Sequence, residues 1–289
     1  MLAIYKKEFR SALFGMTGPI FMVAVLAIFG YFCFRYQFTL AAPQIEYTVA
    51  DSAFWCFLLA PLLTMRSFSE ERRTKTDQLL YSLPITTTQV VLGKYFALVT
   101  ILAIPCAVIC TYPLIVSQFA ATGMNLALAY GSILAFFLLG CAVIAIGIFI
   151  SSLFDNIVIT AIINFLLFFA LYLCTPLAGD IPTTPVSALV ALIVLSVAIG
   201  TLVYYITKSL VAGIASGAAL VAASVIVYFV KSSLYEGLLA KAVSVLFIFR
   251  PVTAFASSVF DITAFVYYLS AAALFVFFTV LSFEKRRWN

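Results

Sequence analysis

The chain has 289 residues, of which 65% are hydrophobic and 9% are charged, and its mean hydropathy is +1.19. Soluble domains are nearer half apolar and a quarter charged, so the composition excludes a soluble fold and predicts an all-α, polytopic integral membrane protein. The net charge of +5 comes from basic residues at the ends of apolar runs, where they set membrane topology, and we therefore expect no nucleic-acid partner.

The first predicted element is a short amphipathic helix over residues 1–15 that lies in the membrane interface. Its apolar residues recur at helical spacing: Leu2, Tyr5, Phe9 and Leu13. Three cations lie between them, where they can meet anionic lipid headgroups: Lys6, Lys7 and Arg10. A positive-inside flank of the first span is the alternative interpretation of the same cations.

Eight apolar runs then predict about eight transmembrane helices. They cover residues 17–34, 52–65, 95–116, 126–150, 157–174, 186–206, 210–230 and 262–281. The sixth and seventh runs could instead form a re-entrant hairpin. Residues 35–51 are predicted as a polar loop. Residues 231–261 are too polar for a span and too apolar for a free loop, which predicts short extracellular interfacial helices. These helices either form a gate or a partner contact or simply pack at the interface. The whole chain, 1–289, is predicted to be one transmembrane domain.

The distribution of basic residues predicts the orientation of the chain. With the N-terminus inside, twelve of the 16 Lys and Arg residues lie in inner segments and four in outer ones. An even number of spans then places the C-terminus inside as well. We therefore expect a multi-pass protein of the cell membrane with both termini in the cytoplasm.

The largest polar segment lies between the second and third predicted spans. Ser67 and Glu70 have the spacing of a capping box at a helix start, and Thr86 and Gln89 repeat that spacing. Pro84 cannot continue a helix, so the segment predicts a helix, a proline turn and a second helix on the cytoplasmic face. An ordinary loop that sets topology is the alternative, but leucines exposed beside charges are typical of a surface that meets a partner.

The sequence predicts no catalytic residue, metal site or cofactor within the chain. It has no histidine, and its six cysteines match no metal motif. The spans carry no ionisable residue near their middle, which argues against an ion-coupled carrier. Asn164 is the best example of a polar residue in the middle of a span. It could line a pathway, but a hydrogen bond to a neighbouring helix is the favoured interpretation. Gly93 and Lys94 are followed by Tyr95, where a phosphate-binding loop needs Ser or Thr. If ATP powers this protein, another chain binds it.

Residues 66–94 resemble the signature region of the type-2 ABC-transporter permeases, the ABC2-membrane family. The matching residues are a charged cluster, a threonine, a leucine pair, a proline and a Gly-Lys pair: Glu70, Glu71, Arg72, Arg73, Thr76, Leu79, Leu80, Pro84, Gly93 and Lys94. Lys75 departs from the pattern, since glycine is common there. The start of the chain resembles the family's elbow helix, and residues 260–288 are similar to the gliding-motility-type permease subgroup. The resemblance is weakest over residues 182–230, and since the family usually has six spans, the sixth and seventh are interpreted as an inserted pair.

The resemblance implies a non-catalytic permease subunit that pairs with a second permease subunit, in a homo- or heterodimer, and docks on a separate cytoplasmic ABC ATPase that binds ATP. It implies a coupling helix whose docking residues are Glu70, Glu71, Arg72, Arg73, Thr76, Leu79, Leu80 and Pro84. It implies an elbow helix in the interface that is formed by Tyr5, Lys6, Lys7, Phe9 and Arg10. Export is the expected direction. An ion-coupled secondary carrier and a non-transporting membrane anchor or immunity protein are the alternatives.

Overall fold

The computed structural model describes residues 1–40, 44–74, 86–119, 125–177, 184–207 and 262–288, with scattered positions between 217 and 252. Nearly all of these residues are helical, and none of them forms a strand. The chain divides into two compact units, one formed by Met1–Tyr172 with Ile248–Asn289 and the other by Leu173–Phe247. The all-α prediction is therefore confirmed for the described part of the chain.

The helices of the described residues are numbered here in chain order. They are α1 (Leu2–Phe14), α2 (Thr17–Cys33), α3 (Ile45–Leu58), α4 (Ala60–Thr64), α5 (Ser69–Arg73), α6 (Thr87–Ile109), α7 (Tyr112–Phe119), α8 (Leu126–Leu153), α9 (Ile157–Leu177), α10 (Pro185–Thr207) and α11 (Ile262–Trp288). A π-helical turn over Phe34–Thr39 continues α2. Only a turn at Cys110 and Thr111 separates α6 from α7, so the two helices form one long apolar stretch.

Four stretches of the described chain are long and apolar enough to cross a membrane. They are Thr17–Thr39, Thr87–Gln118, Leu126–Leu153 and Ile262–Lys285, which correspond to the first, third, fourth and eighth predicted spans. Shorter apolar helices occupy the fifth and sixth predicted spans, at Ile157–Leu173 and Pro185–Val194. Most of the seventh predicted span and of residues 231–261 lies outside the described residues. The count of eight spans stays a prediction.

The second apolar run differs from its predicted bounds. Residues 35–51 were expected to form a loop, but α3 begins at Ile45, so Glu46 and Asp51 lie on a helix. The run also contains two helices, because α3 ends at Leu58 and α4 begins at Ala60 with Pro61 in its first turn. Proline lacks the N–H that an uninterrupted helix would use, and its ring clashes with the preceding turn, so the helix is interrupted there.

Helix α8 is the most buried of the four candidate spans. Of its most apolar window 78% is buried, against 22–39% for the other three. Small residues let neighbouring helices approach it: an added Cβ would lie 2.3 Å from Leu102 Cδ2 at Gly140 and 2.4 Å from Thr64 Oγ1 at Gly147. Asn164 Nδ2 on α9 donates to the Gly147 carbonyl at 3.4 Å, which confirms the predicted bond to a neighbouring helix.

Candidate functional site

Buried charges join the polar segment around α5 to α1 and α6. Lys94, on α6, has a side chain that is only 2% exposed, and its Nζ lies 2.9 Å from Glu71 Oε1 and 3.3 Å from Glu8 Oε1. The same ammonium donates a 2.6 Å hydrogen bond to the Ser67 carbonyl and lies 4.9 Å from the ring centroid of Phe68. We call these five residues the Lys94 junction. It connects three parts of the chain that are far apart in sequence.

The composition of the Lys94 junction explains why an ammonium group is stable in this position. Transferring a lysine from water to a protein interior costs several kcal/mol unless its charge is compensated and its donors are used. A lysine ammonium has three N–H donors. Glu8, Glu71 and the Ser67 carbonyl supply three acceptors. Exposed Lys7 lies 3.8 Å from both carboxylates, so two cations balance two anions.

Gly93 determines how closely α1 approaches α6 beside the junction. A Cβ at this position would lie 3.2 Å from Ile4 Cγ2 and 3.3 Å from Ile4 Cβ, which is tighter than almost all real contacts. About two turns further along α6, the hydroxyl groups of Tyr5 and Thr100 are 3.1 Å apart. Because the two helices are in direct contact here, a carboxylate on α1 can reach Lys94. The structure thus explains both residues of the Gly-Lys pair: Gly93 lets α1 approach α6, and Lys94 binds the carboxylate that α1 carries.

The start of α5 is capped by a different helix. The predicted capping box of Ser67 and Glu70 is wrong, because α5 begins at Ser69 with Phe68 at its N-cap and receives no side-chain cap from its own segment. Ser151, at the end of α8, accepts hydrogen bonds from the N–H groups of Phe68 at 3.0 Å and Ser69 at 3.2 Å. A hydroxyl from another helix therefore satisfies two free amides at the start of α5.

Further contacts fix α5 to the turn between α8 and α9. The Ser69 hydroxyl lies 2.8 Å from Thr160 Oγ1 and donates to the Ser151 carbonyl at 3.2 Å. Arg72 Nη1 lies 3.6 Å from Asp155 Oδ1, and the arginine side chain is 4% exposed while the aspartate is 67% exposed. Helix α5 is therefore held on one side by the Lys94 junction and on the other by α8 and α9.

The four charged residues of α5 divide into two pairs. Glu70 and Arg73 are exposed to solvent, whereas Glu71 and Arg72 are turned into the contacts described above. Of the predicted docking charges, the structure therefore places Glu70 and Arg73 on the surface. The other predicted docking residues lie outside the described residues: Thr76, Leu79, Leu80 and Pro84.

Helix α1 carries the residues predicted for the elbow. Three are exposed cations, Lys6, Lys7 and Arg10, and the other two, Tyr5 and Phe9, are half-buried with stacked rings whose centroids are 5.9 Å apart. The predicted helix is present. That it lies in a membrane interface stays a prediction.

The structure confirms one half of the second predicted capping box, the bond to the hydroxyl of Thr86. Thr86 precedes the first residue of α6, and its Oγ1 accepts from the Gln89 N–H at 3.4 Å. The next residue, Thr87, donates to Glu284 Oε1 on α11 at 2.8 Å. Sequence reasoning missed the roles of Glu8 and Lys94 as partners of α5. The signal that could have found them is a Gly-Lys pair in an apolar helix, since such a lysine needs an acid nearby.

Comparison with known proteins gives one match. A family model described as ABC-2 family transporter protein matches residues 42–234, which are 193 of the 289 residues. The matched region contains the polar segment and Lys94 but neither α1 nor α11. No curated protein and no solved structure matches the chain. The family resemblance is confirmed, and similarity to the gliding-motility subgroup stays a prediction.

Proposed function

This chain belongs to the ABC-2 transporter family and is a permease subunit of an ABC transporter, and we propose that a separate ATPase subunit drives it by docking against the α5 segment. The observation that carries the proposal is the Lys94 junction. Its salt bridge between Lys94 and Glu71 and its hydrogen bond from Lys94 to the Ser67 carbonyl attach the α5 segment to α6, which is part of a stretch long enough to span a membrane. Its other salt bridge, between Lys94 and Glu8, attaches α1 to the same helix. A displacement of α5 by the ATPase would therefore be transmitted to a spanning helix through directly bonded groups.

The exposed pair Glu70 and Arg73 is suited to the first contact with a partner. Opposite charges at the rim of an interface set orientation and exclude wrong partners more than they add affinity. In this proposal Glu71 and Arg72 act from inside by holding α5 in position. Apolar contact is assigned to the leucine-rich part of the segment, together with the threonine and proline named with it: Thr76, Leu79, Leu80 and Pro84.

The remaining parts of the proposal follow from the family and from charge. ATP is bound by the partner ATPase, and a second permease subunit, identical or related, completes the transporter. We propose that the transporter exports its cargo from the cell. We also propose that the chain lies in the cell membrane with both termini in the cytoplasm, an orientation that the distribution of basic residues supports. Placement of α1 in the membrane interface is supported by its exposed apolar residues Leu2 and Phe14, which are 82% and 84% exposed, together with its exposed cations.

Charge reversal on the exposed face of α5 tests the proposal. The permease is co-expressed with an ATPase subunit encoded beside it, and the complex is purified from detergent. Combined Glu70→Lys and Arg73→Glu should lower the recovered ATPase about tenfold, because like charges then face each other across the interface. Lys285→Glu is the matched control, since this exposed charge on α11 lies outside the α5 segment and should leave recovery unchanged.

Two results would contradict the proposal. One is full recovery of the ATPase, with unchanged stimulation of ATP hydrolysis, in the charge-reversed variant. The other is cargo movement into vesicles that is driven by an ion gradient without ATP, which would favour a secondary carrier. The melting temperature of each variant shows that a loss of binding is not a loss of fold.

A further inference from the structure

A pocket of about 670 Å³ lies between α2 and α3 in the first unit. Small-molecule sites in proteins have volumes of about 300–1,000 Å³, so this pocket can hold a lipid headgroup and the first part of its chains. None of its lining residues belongs to the Lys94 junction. The lining residues that matter here are aromatic or charged: Tyr31, Arg35, Asp51, Phe54, Trp55 and Tyr172.

Aromatic rings form one side of the pocket. Phe54 stacks on Tyr172 with ring centroids 3.6 Å apart, and Trp55 meets Phe54 edge-on at 5.3 Å. Trp55 remains 52% exposed, and Tyr31 on the opposite helix is 61% exposed. Tryptophan and tyrosine are enriched at the level of lipid headgroups in membrane proteins. In a multi-pass membrane protein, exposed rings of this kind suit a pocket mouth that meets lipid headgroups.

The pocket also carries one cation and one anion that are held apart. Arg35 lies on the π-helical turn that follows α2 and Asp51 lies on α3, and no salt bridge joins these two described residues. Tyr36 connects them: its hydroxyl donates to the Asp51 carboxylate, and the Arg35 guanidinium lies 6.0 Å from its ring centroid. Two opposite charges that line one pocket without pairing fit a ligand that carries both charges itself.

We propose that this pocket binds the headgroup of a zwitterionic phospholipid. The planar guanidinium of Arg35 matches the phosphate, to which it can donate two parallel hydrogen bonds. The Asp51 carboxylate and the face of Trp55 match the amine, by charge and by cation–π attraction. The acyl chains leave the pocket past Tyr31 into the bilayer. This inference does not depend on docking of an ATPase at α5.

Lipid titration of the full-length, delipidated protein tests the inference by native mass spectrometry. The probes are phosphatidylethanolamine and phosphatidylglycerol with identical acyl chains. The protein should bind phosphatidylethanolamine more tightly. Arg35→Gln should weaken both lipids about tenfold, because a charge-assisted pair to phosphate is lost. Asp51→Asn should weaken only phosphatidylethanolamine and abolish the preference.

A matched pair of aromatic variants serves as the control. Trp55→Ala should lower phosphatidylethanolamine binding, whereas Phe38→Ala should not, since Phe38 is a 61% exposed aromatic near the same end of α2 that does not line the pocket.

A second measurement leaves the pocket intact. The sequence has two tryptophans, so Trp288→Phe leaves Trp55 as the only fluorophore of its kind. Brominated phosphatidylethanolamine should quench it more strongly than brominated phosphatidylglycerol.

Several outcomes would overturn the inference. They are a preference for phosphatidylglycerol, an unchanged preference in Asp51→Asn, and equal quenching by the two brominated lipids. Full displacement of the lipid by an equal concentration of soluble glycerophosphoethanolamine would also overturn it, because the acyl chains would then contribute nothing. Recovery of the ATPase is measured separately, so the failure of this inference and the failure of the proposed function are distinguishable.

Discussion

Replacing Lys94 with methionine removes the cation of the Lys94 junction and keeps most of its volume. The distances of 2.9 and 3.3 Å to the two carboxylates correspond to a gross attraction of about 5–6 kcal/mol each at an effective dielectric constant of about 20. Desolvation of the three charged groups cancels most of that attraction, so the intact junction adds little net stability. The variant is different, because it leaves the carboxylates of Glu8 and Glu71 in the interior without their main cation.

Removing one partner from a buried ion pair costs about 3–5 kcal/mol. The glutamates are 20% and 14% exposed, and Lys7 still lies 3.8 Å from each, so we expect Lys94→Met to cost about 2–4 kcal/mol. Adding Glu8→Gln and Glu71→Gln should restore at least half of the loss, because no charge is then buried alone. The matched control is Lys7→Met, which removes a lysine that is 69% exposed and should change stability by at most about 1 kcal/mol.

The assay is unfolding of the purified protein in mixed micelles, followed by circular dichroism while the fraction of denaturing detergent rises. The free energy of unfolding is compared for the wild type, Lys94→Met, Lys7→Met and the charge-free triple variant. The reasoning is refuted if Lys94→Met is as stable as Lys7→Met, or if the triple variant is no more stable than Lys94→Met alone.

Two other contacts give predictions that melting temperatures can check. Gly147→Ala should destabilise the protein by about 1–3 kcal/mol, because its Cβ would lie 2.4 Å from Thr64 Oγ1, whereas Gly30→Ala, with a nearest contact of 3.6 Å, should be neutral or stabilising; equal melting temperatures would contradict this. Ser151→Ala should cost about 1 kcal/mol by removing the cap of α5. Ser152→Ala, whose hydroxyl donates within its own helix, should be close to neutral, and an equal loss in both serine variants would count against the capping role.

Features that depend on neighbouring residues could be predicted from the sequence. The presence of four apolar stretches and the cap at Thr86 are of this kind, because each depends on consecutive residues of one segment. The pair Ser67 and Glu70 has the spacing of a capping box but forms none, because α5 begins at Ser69 and the amides of Phe68 and Ser69 bond to Ser151 on another helix. Spacing along one segment identifies groups that can form a cap but not the acceptor that the fold brings to them.

The candidate site was predicted in its location but not in its contacts. The charged cluster was expected to face a partner as a whole, yet Glu71 and Arg72 are turned inward. Their partners Lys94 and Asp155 are far along the chain, and Glu8 lies 86 residues from Lys94. A cluster of acidic and basic residues has the same sequence pattern whether its members meet water or a distant residue of the same chain. Which charges are exposed is decided by packing.

The cap of α5 has a consequence for the order in which the protein is made. Ser151 serves amides that were synthesised 82 and 83 residues before it. The ribosome must therefore produce α6, α7 and nearly all of α8 before the start of α5 can take its final form. Until then, the proposed docking surface is incomplete. A chain that stops short of Ser151 lacks this contact, so an ATPase subunit that requires an ordered α5 would leave such fragments unassembled and engage permeases whose synthesis has passed this residue.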